Sequence, residues 1–283
     1  MKKNMIALAI ATTLVPLTVL AGSGHDNVSN SVIEKQRAML EANTDGKGFG
    51  PQSPRDIDVI SGVNTRAFNS APAYTEMNLC NIHFHKNAEH KGGEFAKYAG
   101  NGDGHGFQTG YVYSGKLTSQ ETKNTKAAVC PSKHGALNSG DTIEVHFVHS
   151  SAQVTPGPTL GACLSDAIGN PQLRVETQVM VLVNDKNALD FNTLTKHGVN
   201  NGYQQALNIP SNMGTPVQYT GSTTGPGYNE KGSPFQVSWS VRPQVTKVSI
   251  ETVGDWCKGN TFNEDHAHGV RNLVTNPKLL SAN

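Results

Sequence analysis

The sequence predicts a mainly β protein (α+β), with a large twisted, mostly antiparallel central sheet, few short helices and long loops. Runs of alternating polar and apolar residues, rich in β-branched side chains, recur along the chain, and this is the pattern of half-buried strands. The segments between them are rich in turn-forming residues, and the 283 residues include 29 glycines and 14 prolines.

The N-terminus has the features of a secretory signal peptide. Lys2 and Lys3 precede a short apolar run over residues 5–20, and a small-residue cleavage pattern ends at Ala21. We therefore expect residues 1–21 to be removed and the mature protein to be periplasmic or secreted. No later run approaches the about 18 apolar residues that a membrane span requires, so we expect no span in the mature chain.

The mature chain is expected to contain one large domain after an N-terminal arm. Residues 22–60 are polar, and Ser31 with Glu34 forms a capping-box pattern for one short helix that ends near residue 41, before Asn43 and Gly46. Residues 61–283 are expected to form a single domain, since their number suffices for a substantial core.

Six later segments carry the strand pattern: 79–85, 110–113, 142–150, 173–183, 235–241 and 245–253. The polar interval 91–140 contains Asn101 and Asp103 in a glycine-rich stretch, which are residue types that bind calcium. The spacing and final glutamate of an EF-hand are missing, so we expect a plain turn there.

Two of these strands carry histidines at positions whose side chains point to one face of the strand. In N-I-H-F-H, residues 81–85, His83 and His85 share a face because successive side chains of a strand point to opposite sides. In E-V-H-F-V-H, residues 144–149, His146 lies likewise between two apolar residues. Three neutral imidazoles with one open position are typical of a catalytic zinc site, whereas structural zinc is usually closed by four ligands.

Polar residues two positions earlier are placed to orient these histidines. Asn81 precedes His83 and Glu144 precedes His146 on the same face, and a ligating histidine usually donates its second N–H to such a group. The side chain of His149 points to the opposite face of its strand, so we expect a packed, hydrogen-bonded histidine and not a ligand. Cobalt or cadmium are possible substitutes for Zn²⁺, because three imidazoles discriminate weakly among such ions.

The number of cysteines and the net charge indicate the redox environment of the protein and the class of molecule that it binds. Four cysteines, an even number in an oxidising compartment, predict two disulfides, and the sequence leaves open the three possible pairings of Cys80, Cys130, Cys163 and Cys257. A net charge of +1 with 16% charged residues offers no basic surface for nucleic acid. The expected partner is therefore a small molecule, and the oligomeric state is not indicated.

These motifs resemble those of carbonic anhydrases. N-I-H-F-H and I-E-V-H-F-V-H are similar to the two ligand strands of the alpha class, and Y-T-G-S-T-T-G-P, residues 219–226, resembles its Y-x-G-S-x-T-T-P-P segment. Trp239 lies in a strand similar to the one that follows that segment. N-I-H-F-H-K-N-A-E-H-K directly after a cysteine, and a C-terminal H-G-V-R-N-L-V, resemble the delta class, and this resemblance covers most of the mature chain.

The resemblance implies an alpha-carbonic-anhydrase-like sheet in a catalytic domain, residues 61–283, that hydrates CO2 reversibly to bicarbonate and a proton with zinc-bound hydroxide on the three histidines. It also implies that Thr223 or Thr224 accepts the hydroxide's proton and donates its own to Glu89, which orients the attack. Two departures are evident. Glu89 lies closer to the H-x-H than the alpha-class glutamate, and Gly225 with Pro226 replaces the two prolines.

The substrate pocket and the proton path have less specific candidates. Val148 and Trp239 are candidates for an apolar wall beside CO2. A histidine is the usual proton shuttle, and the sequence does not choose among the candidates His90, His105, His134, His197, His266 and His268. The second H-x-H, at 266–268, lies in a polar stretch and is expected to be an exposed loop, not a second metal site.

Two other functions stay open. A cupin-like iron or manganese oxygenase also has H-x-H on a strand and a later histidine, but its site adds a carboxylate ligand, which would be Glu89 or Glu144. A non-catalytic zinc-binding protein of the cell envelope would keep the ligands without the activity.

Overall fold

A five-stranded sheet forms the centre of the protein, which is described here over residues 27–282 of a computed structural model. The predicted signal peptide, residues 1–21, lies outside the described residues. The three α-helices in this range are α1 Asn30–Thr44, α2 Phe191–Leu194 and α3 Ile250–Cys257. The strands are β1 Asn78–Lys86, β2 Lys97–Asn101, β3 Thr109–Val112, β4 Val129–Ser132, β5 Gly135–Leu137, β6 Thr142–Ser150, β7 Gln172–Val183, β8 His197–Asn200, β9 Tyr203–Ala206, β10 Val217–Thr220 and β11 Gln236–Ser249.

The order of strands in the sheet is β1-β6-β7-β11-β10, and every neighbouring pair is antiparallel except β7 with β11. The pairs β2-β3, β4-β5 and β8-β9 form small separate ribbons. The predicted mainly β fold with a large, mostly antiparallel central sheet is therefore confirmed.

Apolar clusters cover both faces of the sheet, because its strands are buried on both sides. Ile82, Phe84 and Val145 belong to the cluster on one face, and Val148 and Trp239 belong to the cluster on the other. All nine residues of β6 are buried. The polar side chains of these strands therefore face an interior and must find partners there.

One predicted strand was wrong in its second half. The segments predicted at 235–241 and 245–253 form a single strand, β11, with a register shift between Val241 and Val245, and the chain becomes helical at Ile250. Ile250, Val253 and Trp256 are the buried residues of α3, at a spacing that fits one face of a helix. Their β-branched content suggested a strand, but burial of this face decides the structure.

Helix α1 begins two residues before the predicted start and ends at Thr44, three residues beyond the predicted end. Ser29, in extended backbone, precedes the helix, and its hydroxyl lies 2.7 Å from that of Ser31, so the predicted capping box does not form. Leu40 packs with Val274, Leu279 and Leu280 near the C-terminus. None of the helices within residues 27–282 is long and apolar enough to cross a membrane.

The turn predicted at Asn101–Asp103 is present. Asp103 Oδ1 accepts hydrogen bonds from the backbone N–H groups of His105 and Phe107, at 2.8 and 3.1 Å. This carboxylate therefore closes its own loop, as an Asx turn does.

Two disulfides form, as predicted, and the structure supplies the pairing that the sequence left open. Cys80 pairs with Cys163, and Cys130 pairs with Cys257. The first joins strand β1 to the 3₁₀ turn Leu160–Cys163, three residues before the first histidine of that strand. The second joins β4 to α3, two elements that carry none of the three predicted ligand histidines.

Replacing Cys80 and Cys163 together with serine is expected to lower the free energy of unfolding by about 2–5 kcal/mol, because the bridge closes a long loop. Urea denaturation of both proteins measures this difference. The Cys130→Ser/Cys257→Ser pair is the matched control, and we expect it to lose stability while metal affinity stays unchanged. If the Cys80→Ser/Cys163→Ser protein keeps both its stability and its metal affinity, the Cys80–Cys163 bridge does not stabilise the strand that carries His83 and His85.

Candidate metal centre

Three histidines from two neighbouring strands converge on one point. His83 of β1 lies directly opposite His146 of β6, and His85 lies on the same face of β1. One ring nitrogen of each histidine lies within 4.8 Å of the other two. His83 Nε2 and His146 Nδ1 are 3.3 Å apart, which suits two nitrogens at about 2.0–2.1 Å from one tetrahedral ion.

Hydrogen bonds on the far side of two rings aim the remaining nitrogens inward. Asn81 Oδ1 lies 2.7 Å from His83 Nδ1, and Glu144 Oε1 lies 2.6 Å from His146 Nε2. Asn81 and Glu144 are the residues that the sequence assigned to these positions. The contacts leave Nε2 of His83 and Nδ1 of His146 facing the site, in the arrangement that orients metal ligands.

The third ring is held by a contact that sequence reasoning missed. His85 Nδ1 lies 2.8 Å from the carbonyl oxygen of Gly269, which is 184 residues away in the chain. His85 Nε2 is buried and has no hydrogen-bond partner among the described residues. A buried polar atom without a partner is costly, and a metal ion held by the three rings would satisfy this nitrogen. The donor set therefore fits a zinc-type ion.

Burial favours the neutral form of two of these rings, His83 and His85. Burial, followed by the charges of the neighbouring histidines, lowers the pKa of His83 well below 6.5. Burial also lowers the pKa of His85 to about 4. Neutral imidazole is the form that binds a metal, so both rings are prepared for ligation at pH 7.

A buried chain of hydrogen bonds extends from His146 through Glu144. His90 Nδ1 donates to Glu144 Oε1 at 2.7 Å, the His90 backbone N–H donates to Oε2 at 2.9 Å, and His90 Nε2 lies 2.7 Å from the hydroxyl of Tyr219. That hydroxyl lies 2.6 Å from Ser53 Oγ. Burial opposes ionisation of Glu144, but His90 and His146 outweigh it and lower its pKa.

The bonds of Glu144 decide its role. Both of its oxygens accept hydrogen bonds from His90, and one of them also accepts from His146. His90, Glu144 and His146 are a second group whose polar atoms lie close enough together to hold a metal ion. Their mutual hydrogen bonds explain why these atoms lie so close together. Glu144 is therefore placed to orient a ligand, and its carboxylate does not face the point where the three rings meet.

Glu89 belongs to a buried charged cluster with two arginines. Its Oε1 accepts the backbone N–H of Arg271 at 2.8 Å, and its Oε2 lies 3.6 Å from Arg55 Nε. Both arginines donate to Thr223 Oγ1, Arg55 Nη2 at 3.0 Å and Arg271 Nη1 at 3.3 Å. The bond predicted from a threonine to Glu89 is not present among the described residues, since Thr223 contacts the arginines instead.

The two arginines are the residues that sequence reasoning missed in this cluster. They are 0% and 2% exposed, and Arg55 has a left-handed backbone with φ of 58°, which non-glycine residues rarely adopt. Arginine is almost never fully buried unless it is paired. The signal in the sequence is only that Arg271 lies within H-G-V-R-N-L-V, beside apolar residues.

A cavity of about 40 Å³ opens onto the histidines, which is room for only a few atoms. Thr223, Thr224 and Glu89 line it with the three histidines, and the apolar side includes both predicted wall residues, Val148 and Trp239, with Leu160, Leu173, Val175 and Val237. Gly221 lets the threonine segment pass close to Ser53, because a Cβ there would lie 2.8 Å from Ser53 Cα.

Two of the six candidate shuttle histidines contact ligand rings. His90 is fully buried and bonded at both ring nitrogens, so it does not reach solvent. His268 is partly exposed, with its ring 5.6 Å from that of His83 and 6.0 Å from that of His85. Its Nε2 lies 2.7 Å from Glu264 Oε2. Its ring therefore lies beside two of the three histidines and is partly exposed to solvent.

The other histidines lie elsewhere. His134 stacks on Phe107, His197 bonds to Thr261, and His105 is exposed. His149 is buried, its Nδ1 bonds to the carbonyl of Phe147, and burial lowers its pKa to about 3.

The segment 266–268 was expected to be an exposed loop, but Ala267 is buried and the two histidines are only partly exposed. The His268 backbone N–H donates to the carbonyl of Phe84 at 2.8 Å, and the Lys86 N–H donates to the carbonyl of His268 at 3.1 Å. His266 pairs with Asp265 near the surface, and the ring of His268 contacts ligand rings. The segment is therefore attached to the ligand strand by a β-bridge at His85.

A sheet that presents three histidines to a small, partly apolar cavity forms a candidate metal site for an enzyme with a small substrate. The family model of the delta carbonic anhydrases matches residues 74–252, and the chain belongs to this family. The protein is therefore a carbonic anhydrase enzyme.

Similar solved structures include the alpha-carbonic anhydrase from Thermovibrio ammonificans in complex with the inhibitor sulfanilamide, which is 18% identical, covers 84% of this chain and 88% of its own, and has a TM-score of 0.27. The Photobacterium profundum alpha-carbonic anhydrase is 17% identical, with coverages of 86% and 93% and a TM-score of 0.26. No curated protein matches the chain.

Proposed function

We propose that this protein is a zinc-dependent enzyme for the reversible hydration of CO2 to bicarbonate and a proton, with His83, His85 and His146 as the zinc ligands. The observation that carries the proposal is the convergence of their three inward-facing nitrogens, one of them buried without a partner. Zinc bound there would supply hydroxide at neutral pH by lowering the pKa of a coordinated water to about 7, as is established for carbonic anhydrases.

The apolar side of the cavity suits the neutral substrate. Val148 and Trp239 lie beside the histidines, and the Trp239 ring centroid is 5.3 Å from that of His146. CO2 carries no charge and is a weak hydrogen-bond acceptor, so an apolar wall holds it without costly desolvation of polar groups.

Thr224 is the threonine better suited to accept the proton of the attacking hydroxide. A hydroxyl oxygen has two acceptor positions, and those of Thr223 receive hydrogen bonds from Arg55 and Arg271. Thr224 also lines the cavity, and its hydroxyl makes no hydrogen bond within residues 27–282. Its acceptor positions are therefore available to the nucleophile.

The cupin-like oxygenase would need a carboxylate ligand and a different metal. Glu144 bonds to histidines and Glu89 bonds to arginine groups, so no carboxylate is left to complete the ligand set of a cupin-like oxygenase. Cobalt and cadmium suit the same three nitrogens. The two disulfides support a periplasmic or secreted location.

The test is stopped-flow measurement of CO2 hydration on the purified chain, with metal content determined on the same sample. We expect about one zinc per chain, loss of hydration after chelation and recovery with zinc. Zinc bound without hydration would support the non-catalytic alternative, and iron bound in place of zinc would support the oxygenase.

A further inference from the structure

The N-terminal helix α1 buries a polar side chain in the middle of its inner face. Gln36 is only 9% exposed, and the other buried residues of this helix are Ile33, Leu40 and Thr44. Glutamine is mostly found at the surface, and a buried side-chain amide is costly unless its hydrogen bonds are satisfied. The partners of Gln36 therefore indicate what this residue contributes.

The Gln36 amide bonds at both ends to parts of the chain that are remote in sequence. Its Nε2 donates to the carbonyl of Gly104 at 2.8 Å, across 68 residues, and its Oε1 accepts from Asn272 Nδ2 at 2.7 Å, across 236 residues. One side chain thus ties α1 to the loop after β2 and to the segment 268–273. Arg37 adds a second bond to that segment, from its Nε to the carbonyl of Leu273 at 3.2 Å.

The loop and the segment that Gln36 joins also pack against each other. The Val270 N–H donates to the carbonyl of Gly106 at 2.8 Å. The two backbones leave no room for a side chain at Gly269, because a Cβ there would lie 2.9 Å from the carbonyl oxygen of Gly106. The loop and the segment therefore form one packed unit, and Gln36 bonds to both parts of it.

This unit carries the group that orients the third ligand. The carbonyl oxygen of Gly269 lies 2.8 Å from His85 Nδ1. Two residues further along the same segment, the Arg271 N–H donates to Glu89 Oε1. The orientation of the His85 ring thus depends on where the segment 268–273 is held, and groups that orient a metal ligand contribute to metal affinity.

Gly269 differs from the other two orienting groups in how it is held. Asn81 and Glu144 belong to strands β1 and β6 of the central sheet, whereas Gly269 lies outside the helices and strands of residues 27–282. The backbone bonds of His268 to β1 hold one end of its segment. The bonds from α1 hold the other end, at Asn272 and the residue after it.

We propose that Gln36 is a positioning residue for the metal ligand His85, and that it acts through Asn272 and the carbonyl of Gly269. Without the bonds of Gln36, the segment is released at one end and the His85 ring samples more orientations, so a bound ion dissociates more readily. The N-terminal helix then helps to set the metal affinity although it supplies no ligand. This inference rests on the proposed function, because it takes His85 as a zinc ligand.

The test compares the wild type with Gln36→Met, which keeps the length and helix propensity of the side chain and removes both hydrogen bonds. The zinc dissociation constant is measured by competition with a chelator, and the visible spectrum of the cobalt-loaded protein reports the geometry of the ligands. Neither readout depends on CO2 hydration. We expect zinc binding to weaken about tenfold, as for other groups that support a ligand indirectly, and the cobalt spectrum to change.

Two further variants show whether the effect passes through Asn272. Lys35→Met is the matched control, because Lys35 is exposed on the same helix, and it should keep the wild-type affinity and spectrum. Asn272→Leu breaks the same bond from its other end and should weaken zinc binding to a similar extent. In the double variant Gln36→Met/Asn272→Leu, we expect a loss of about tenfold and not of about a hundredfold, since the two residues act through one bond.

A folded Gln36→Met protein with the zinc affinity and cobalt spectrum of the Lys35→Met control would overturn the inference. Additive losses in the double variant would also overturn it, because Gln36 would then act independently of Asn272. If Gln36→Met does not fold, Asn272→Leu decides by the same two measurements, and wild-type values would refute the positioning role. A wild-type protein that binds no zinc would instead refute the proposed ligands, so the two failures are distinguishable.

Discussion

Replacing His146 with alanine is expected to abolish CO2 hydration and zinc binding together. Only His83 and His85 would remain as ligands, and loss of a direct ligand should exceed the about 10–100-fold loss of metal affinity that follows removal of a residue that merely orients a ligand. The change also leaves Glu144 with one histidine partner fewer in a fully buried position.

Zinc content after dialysis and stopped-flow hydration measure the two losses on the same preparation. His149→Gln is the matched control, because His149 lies on the same strand, is equally buried and points to the opposite face. We expect this control to keep zinc and hydration, even if it is less stable. A His146→Ala protein that binds zinc with wild-type affinity would remove His146 from the ligand set.

The convergence of His83, His85 and His146 could be predicted from the sequence because it depends on a short-range rule. Strand periodicity alone places His83 and His85 on one face, and apolar neighbours place His146 on the corresponding face of β6. The register that sets His83 directly opposite His146 depends on pairing between strands. The alternation of side chains along each strand was sufficient to predict the shared face, because a shift in register by one residue would have turned the apolar side chains of the strand away from the core.

The residues that contact His85 and Glu89 could not be found in the same way, whereas Asn81 and Glu144 could, because each lies two positions before its histidine. Gly269 reaches His85 across 184 residues, and Arg271 reaches Glu89 across 182. No local pattern marks such contacts, since they depend on how the C-terminal segment packs against β1. Arg55 is equally remote in sequence from Thr223, at a separation of 168.

Errors in the predicted elements have a related cause. Residues 250–253 have the composition of a strand, but their apolar side chains are buried as one face of α3. Strand β10, which carries Tyr219, has only four residues, and its alternation is too short to stand out from the surrounding loop. In both cases packing decides a structure that local propensity leaves undetermined.

The largest effect on stability is expected from Glu89→Gln, at about 3–5 kcal/mol of lost free energy of unfolding, because it removes the charge that faces the buried guanidinium group of Arg55. Glutamine has nearly the same shape and can still accept the N–H of Arg271, so the loss reports the charge. Arg55 would then be left buried without a carboxylate at 3.6 Å.

The pH dependence gives a second signature. Burial opposes ionisation of Glu89, but the charge of Arg55, and then those of His85 and His146, lower its pKa below the ordinary value of 4.5. A lowered folded-state pKa means that the carboxylate contributes stability above pH 4.5, and that this contribution is lost as the pH falls through the folded-state pKa. The wild type and Glu89→Gln should therefore differ most at neutral pH and converge in acid.

Urea denaturation across this pH range measures both effects. Glu34→Gln is the control, since Glu34 is exposed on α1 and should change the stability by less than about 0.5 kcal/mol. If Glu89→Gln proves as stable as this control at pH 7, the guanidinium group of Arg55 does not depend on the carboxylate. Its stabilisation would then come from its hydrogen bonds to Thr223 Oγ1 and to the carbonyl of Ser53, and a Thr223→Val protein would show a matching loss of stability in urea denaturation.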